Sequence, residues 1–362
     1  MLQPSQQQPG GTSPKAIAFP YILGPAADLF FLGPGATLLV SALFVTLMVA
    51  GRDAAAGLLA TALTIAFSGP HYAATYRRAY ASREIIRSHP VVTVLAPVLL
   101  AIAVALALRF PATVAPLFVV LYVIWSGYHY SGQSLGLALL YPLRQGHRLD
   151  VGEKRLLAFP LYVSWLVSLV GLLRVDGAVR NSAYRVVRDT ALGVRLQLPP
   201  ASVPWVLGAG IALLIASFSA VALLAVRRRR RAVPLPWPVY GIVLTQAIWF
   251  GWGLFYPLLN IVLVPIFHGL QYLALTSWHQ CKGRGPAGPR AFALYAGTVL
   301  LLGLVINPGL FLLIDDLPGE PLLVGALLIS LLNVHHFLMD GRIWRLRERR
   351  VVESFVETAA AR

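Results

Sequence analysis

The stretch LFVVLYVIWSGYHYSGQSLGLALLY, residues 117–141, decides what kind of molecule this is. No charged residue interrupts it, and it is longer than the roughly 20 residues that cross a bilayer as a helix. Yet His129 and Gln133 sit near its centre, flanked by the pairs Ser126-Gly127 and Ser131-Gly132. A strongly polar group in hydrocarbon must face the interior of a bundle and find a partner there. The small residues beside it are those that let membrane helices approach closely. The segment is therefore expected to be one helix of a bundle, whose polar face meets the polar faces of others.

The rest of the chain is built alike. It is 57% hydrophobic and only 12% charged, with a mean hydropathy of +0.71, whereas ordinary globular domains carry about a quarter charged residues. Ten apolar spans can be drawn, near 29–50, 54–74, 91–109, 113–141, 156–173, 204–226, 237–257, 258–279, 291–314 and 321–341. Pro257 marks a helix start or kink between the seventh and eighth. The expected fold class is all-α, a polytopic transmembrane helical bundle of about ten helices forming a single domain over residues 21–345. No internal repeat stands out at any fixed period. Residues 1–20 open as MLQPSQQQPGGTSP, polar and rich in Pro and Gly, without the layout of a secretory signal. They are expected to be a disordered tail, and 346–362 a cytoplasmic C-terminal tail.

A net charge of +16 raises nucleic acid as a partner, but no nucleic-acid-binding motif accompanies it. The basic residues gather in loops near 77–90, 142–155, 227–236 and 280–290, all after even-numbered spans. That is the positive-inside pattern, and it predicts a multi-pass protein of the cell's inner (cytoplasmic) membrane with both termini in the cytoplasm. The long loop at 174–203 is the exception; Tyr184, Val186, Val187 and Leu192 suit it to an interfacial helix. The run Arg227 to Arg231 reads as a topogenic or anionic-lipid contact. Cys281 stands alone, so there is neither an intrachain disulfide nor a thiol pair for a metal.

The histidines follow the topology. His71, His129, His268 and the pair His335-His336 all lie in even-numbered spans, at comparable depth, and the odd-numbered spans have none. Helices that run the same way with a histidine at the same depth can converge on one point. Each also has a polar residue four positions on, on the same helix face: Thr75, Gln133, Tyr272 and Asp340, the last paired with His336. A metal-bound imidazole usually gives its other N–H to such an acceptor, and Asp340 is alternatively a ligand itself. His335 and His336 point about 100° apart on a helix, so one of them faces the site; Asp340 favours His336. His279 lies three turns beyond His268 on the same stripe, at the membrane edge, and with His335 is expected as a supporting group or alternative ligand, while His89 and His147 lie in basic loops. A centre of neutral imidazoles with one carboxylate suits iron as Fe(II), with zinc, copper or manganese as alternatives. Trp125, Tyr128, Tyr130, Tyr72, Tyr76, Phe267, Tyr272 and Phe337 are expected to wall an apolar cavity beside it.

These residues, with the motifs HGLQY at 268–272 and HHFLMDG at 335–341, resemble the Brp/Blh-type β-carotene-cleaving dioxygenases, over about 70–340. The resemblance implies a polytopic enzyme whose iron is held by His71, His129, His268 and His336 and which splits carotene to retinal. The clustered HxxxH and HxxHH boxes of membrane fatty-acid desaturases are absent. The leading expectation is a non-haem-iron membrane oxygenase that brings dioxygen to an apolar substrate, a carotenoid or lipid. In it the histidines are ligands, and Tyr272 or Asp340 relays protons. Two other classes stay open: a proton-coupled transporter using the buried His and Asp residues, and a membrane protein holding haem between two histidines.

Overall fold

The computed structural model describes residues 21–173, 199–255, 257–282, 284, 287–306, 321–346 and 348–356. Among them there is no β-strand; the chain is helix upon helix. A short helix, α1 (Pro25–Leu32), bends by 45° into α2 (Gly35–Val49). Then follow α3 (Asp53–Tyr80), α4 (Arg83–Ser88), α5 (Val91–Arg109), α6 (Val114–Arg144) and α7 (Val151–Leu173). After residues 174–198 come α8 (Val203–Arg230), α9 (Trp237–Phe255), α10 (Pro257–Cys281), α11 (Gly288–Leu304), α12 (Pro321–Ile343) and α13 (Arg349–Val356). The expected spans fall on helices as far as the described residues reach, the first divided between α1 and α2 and the ninth running beyond α11 into residues outside those described, and Pro257 begins α10 as its missing N–H favours. Five described helices are long and apolar enough to cross a membrane by themselves, or six if the bent pair is one span. The expected interfacial helix at 174–203 and the N-terminal tail fall almost wholly outside the described residues.

Proline punctuation shapes the spans in a way that periodicity does not show. Three wide turns with i→i+5 hydrogen bonds, at Asp28–Leu32, Thr64–Ser68 and Val91–Leu95, each end two residues before a proline: Pro34, Pro70 and Pro97. A proline ring clashes with the carbonyl four residues back, and inserting one residue into the turn relieves the clash. The second of these turns lies inside α3 and delivers His71, the residue after Pro70.

The helices differ in depth. Helix α12 is buried along most of its apolar length while α8 is largely exposed, so α12 is central and α8 peripheral. Helix α12 packs on α6, α5 and α3, while α10 packs on α9, α11 and α3. Two close approaches hold α3 in place. A Cβ on Gly69 would lie 2.7 Å from the carbonyl oxygen of Gly303 on α11. A Cβ on Gly269 of α10 would lie 2.7 Å from the Phe67 carbonyl oxygen and 3.2 Å from His71 Nδ1. Only glycine permits these spacings.

The C-terminal segment is docked rather than trailing. Val351 and Phe355, one turn apart on α13, are buried among Leu140, Tyr141 and their neighbours, and the Phe355 ring stacks on Trp278 at 5.7 Å. Arg144, buried at the end of α6, donates through Nη1 to the Phe355 carbonyl (2.6 Å) and through Nη2 to that of Tyr21 (3.0 Å). The two ends of the described chain thus meet at the same end of the bundle.

Candidate metal centre

Four helices bring four imidazoles together. Going round His71, His268, His129 and His336, successive ring centroids are 5.2, 4.9, 5.0 and 4.7 Å apart, and His268 and His336 face each other across 6.2 Å. A ring nitrogen binds a transition metal at about 2.1 Å, which puts the ring centroid about 3.2 Å from the ion. Opposed rings are then about 6.4 Å apart and adjacent ones about 4.5–5.2 Å. The quadrilateral has those dimensions.

The nitrogens are unspent as well as close. His71 Nδ1, His129 Nε2 and both ring nitrogens of His268 and His336 are buried without a hydrogen-bond partner. Buried polar atoms are partnered in the great majority of cases, so four neighbouring imidazoles that each keep an unpartnered buried nitrogen call for a ligand, to which each ring can offer one nitrogen. The donor atoms of His71, His268 and His336 lie within 4.8 Å of one another, as do those of His129, His336 and Asp340. His336 belongs to both sets. The His336 Nε2 is 3.4 Å from Asp340 Oδ2, near enough for an ionic contact but misaligned for a hydrogen bond, and His129 Nε2 is 4.0 Å from the same oxygen.

The residues four positions on form a second layer, one turn away, as expected of helices that run the same way. The Thr75 hydroxyl lies 2.7 Å from Tyr272 Oη and 3.0 Å from Asp340 Oδ1, with one proton to give to one of them. Tyr272 donates to Asp340 Oδ1 at 3.0 Å and accepts from Trp344 Nε1 at 3.1 Å. Tyr272 holds Oδ1 and the Thr75 hydroxyl lies beside the same oxygen, which leaves Oδ2 towards the imidazoles. Gln133 joins the layer differently from the sequence expectation. Its amide donates to the His268 carbonyl and to Gln271 Oε1, both at 3.2 Å, and touches no imidazole nitrogen. It secures the backbone that carries His268.

Two other expected neighbours stand apart. His335 turns away, with Nε2 2.9 Å from the Val92 carbonyl and its ring stacked on Tyr76 at 5.4 Å. His279 lies nearer α13, between Arg78 and Ser354. His89 pairs with Glu348 at 3.8 Å.

Beside the second layer opens a cavity of about 300 Å³ lined by His129, Tyr272 and Asp340 and by the apolar faces of Trp125, Tyr128 and Phe337. The other aromatics of the expected wall serve elsewhere. Tyr130 and Tyr72 pack against the His268 and His336 rings, and Phe267 stacks on Trp249. Trp344, which sequence reasoning did not single out, is both a cavity wall and the N–H donor to Tyr272. It follows Asp340 by four residues, the same spacing that links Asp340 to His336.

Comparison with models of protein families, with curated proteins and with solved structures finds no match. The site therefore rests on its own geometry.

Proposed function

We propose that the chain is an integral membrane oxygenase whose metal ion, iron first, is held by His71, His129, His268 and His336 and acts on an apolar substrate drawn from the bilayer. One observation supports this reading: four imidazoles gather with neighbouring ring centroids 4.7–5.2 Å apart, and each has at least one buried nitrogen without a hydrogen-bond partner. Imidazole-rich sites with one carboxylate suit iron, and zinc, copper and manganese are the alternatives. The topology proposed with it has ten spans and both termini in the cytoplasm, following the positive-inside pattern.

The ion would supply dioxygen binding and activation at an open coordination position. The protein's own part is positional. His129 and Asp340 face the cavity, so a substrate there meets the centre from one side. Asp340 offers Oδ2 as a ligand or a proton acceptor, while Tyr272 can pass its phenolic proton to Oδ1 over 3.0 Å. The aromatic wall excludes water from that face. Neighbouring imidazole rings only 4.7–5.2 Å apart leave room for a bare ion rather than for a haem macrocycle, so crowding favours the ion.

The test is oxygen consumption by the Fe(II)-loaded protein in membranes supplied with β-carotene or with polyunsaturated lipid, followed by product analysis. Uptake that requires substrate and vanishes in His129→Ala supports the proposal. A metal-loaded protein that consumes no oxygen with any apolar substrate contradicts it. A Soret band in the visible spectrum would replace it with the haem reading.

A further inference from the structure

The glycines of α6 fall into two kinds. A Cβ on Gly127 would collide with the Trp165 ring, so that glycine is needed for helix packing. Gly136 has nothing within 4 Å of where its Cβ would be, and Gly132 has only the Tyr162 hydroxyl, at 3.7 Å. Glycine weakens a helix relative to alanine, and neither position returns that loss as packing. Both line the cavity, on the same stripe of α6 as Trp125, His129 and Leu140. The stripe from Trp125 to Leu140 spans about 22 Å of helix. A cavity of about 300 Å³ drawn out over that length is a narrow slot. His129, its side chain 9% exposed, and Asp340 line the slot beside these glycines, so the slot runs along the face of the candidate metal centre.

The two ends of the slot differ. Phe355 and Trp344 wall it where α13 docks, and α13 is pinned there by Arg144. At the other end Tyr128 lines the slot and is 51% exposed on the apolar flank of α6, with the Tyr162 ring 5.3 Å away.

We propose that Gly132 and Gly136 are specificity-determining residues. They keep open a slot for one extended apolar chain, which enters sideways from the bilayer past Tyr128 and Tyr162, while Phe355 of α13 and the exposed Arg345 stand at the opposite end. The slot admits a single acyl or isoprenoid chain and rejects a fused-ring plate such as a sterol. This rests on the proposed use of the cavity as the substrate site, and not on which metal is bound.

The experiment uses the full-length protein in native membranes and a diazirine-bearing fatty acid as photoprobe, with labelled peptides mapped by mass spectrometry. Metal content is measured on the same preparations. Labelling is expected on the α6 stripe and at Phe337. Gly136→Leu fills open space and should cut that labelling about tenfold, because an overfilled site loses affinity on this scale. Gly57→Leu serves as a control, since that glycine also has nothing within 4 Å but is not among the slot residues. It should leave labelling unchanged. Gly136→Ala, a milder change, should give an intermediate effect and covers the case in which the leucine variant does not fold. A diazirine sterol should label only outer surfaces. Equal labelling of Gly136→Leu, Gly136→Ala and the parent would overturn the proposal, as would sterol labelling inside the slot. Slot labelling in a protein without metal would sink the oxygenase reading and leave this one standing. A metal-loaded protein with no slot labelling would do the reverse.

Discussion

Replacing Gly269 by alanine tests whether helix spacing sets the ligand geometry. The added Cβ would lie 2.7 Å from the Phe67 carbonyl oxygen and 3.2 Å from His71 Nδ1. Ordinary carbon–oxygen contacts begin at about 3.3 Å, so α10 and α3 must separate by about 0.6 Å. Metal bonds tolerate about 0.2 Å. His268 sits beside the mutated residue and His71 is the very side chain it presses on, so both ligands are displaced together. Overpacking of this kind costs about 1–3 kcal/mol in stability, a drop of a few degrees in apparent melting temperature. The effect on metal affinity should be larger, about 10- to 100-fold, the range seen when supporting contacts of a metal site are lost. The assay is metal content after dialysis against a graded chelator, beside a fluorescence-detected melt on monodisperse protein. Gly297→Ala is the control, because its Cβ would meet nothing within 4 Å. A Gly269→Ala protein that keeps its metal and melts like the parent would refute the reasoning.

Other consequences can be read separately. Tyr272→Phe removes the hydroxyl that joins Asp340, Thr75 and Trp344; it should cost about 1–3 kcal/mol through the unpartnered Trp344 N–H, retain the metal and lose most turnover. Glu153→Gln takes the carboxylate from buried Arg228, 3.6 Å away, and from Arg231 at 3.1 Å. Breaking a buried pair from one side costs about 3–5 kcal/mol, so this variant should melt early, and adding Arg228→Met should recover part of the loss. Phe355→Ala should undock α13, seen as faster amide exchange over residues 349–356 and in the Trp278 peptide, with metal content unchanged. Stripping the metal with phenanthroline should lower the melting point of the parent, and of Phe355→Ala equally, because an ion that binds only the folded state stabilises it by mass action.

The helices and the cluster of histidines with Asp340 were legible for the same reason. A histidine or aspartate inside a hydrocarbon-length apolar run is costly enough to be purposeful, so His71, His129, His268, His336 and Asp340 announce themselves. The one-turn spacing then finds Thr75 and Tyr272, though not that they join in one network around Asp340. What stayed hidden depends on contacts between distant segments. Gln133 has the spacing of a partner for His129 yet bonds the backbone of α10, because a long amide reaches across the helix contact. Gly269, next to His268, reads as filler until α3 is seen against it. The docking of α13 was unreadable because Val351 and Phe355, the two residues it buries, stand in a short segment among Arg349, Arg350 and Glu353, and nothing local says that Arg144 waits for it. Trp344 could have been found by applying the four-residue step once more beyond Asp340.

The most direct measurement is the metal-to-protein ratio of the purified parent and of the four single His→Ala variants at positions 71, 129, 268 and 336, determined by elemental analysis after removal of loosely bound ions. A common centre predicts a stoichiometric transition metal in the parent and a clear loss in each of the four variants, with His335→Ala and His279→Ala retaining it. A parent free of transition metal, or a His129→Ala variant as fully loaded as the parent, would contradict the account.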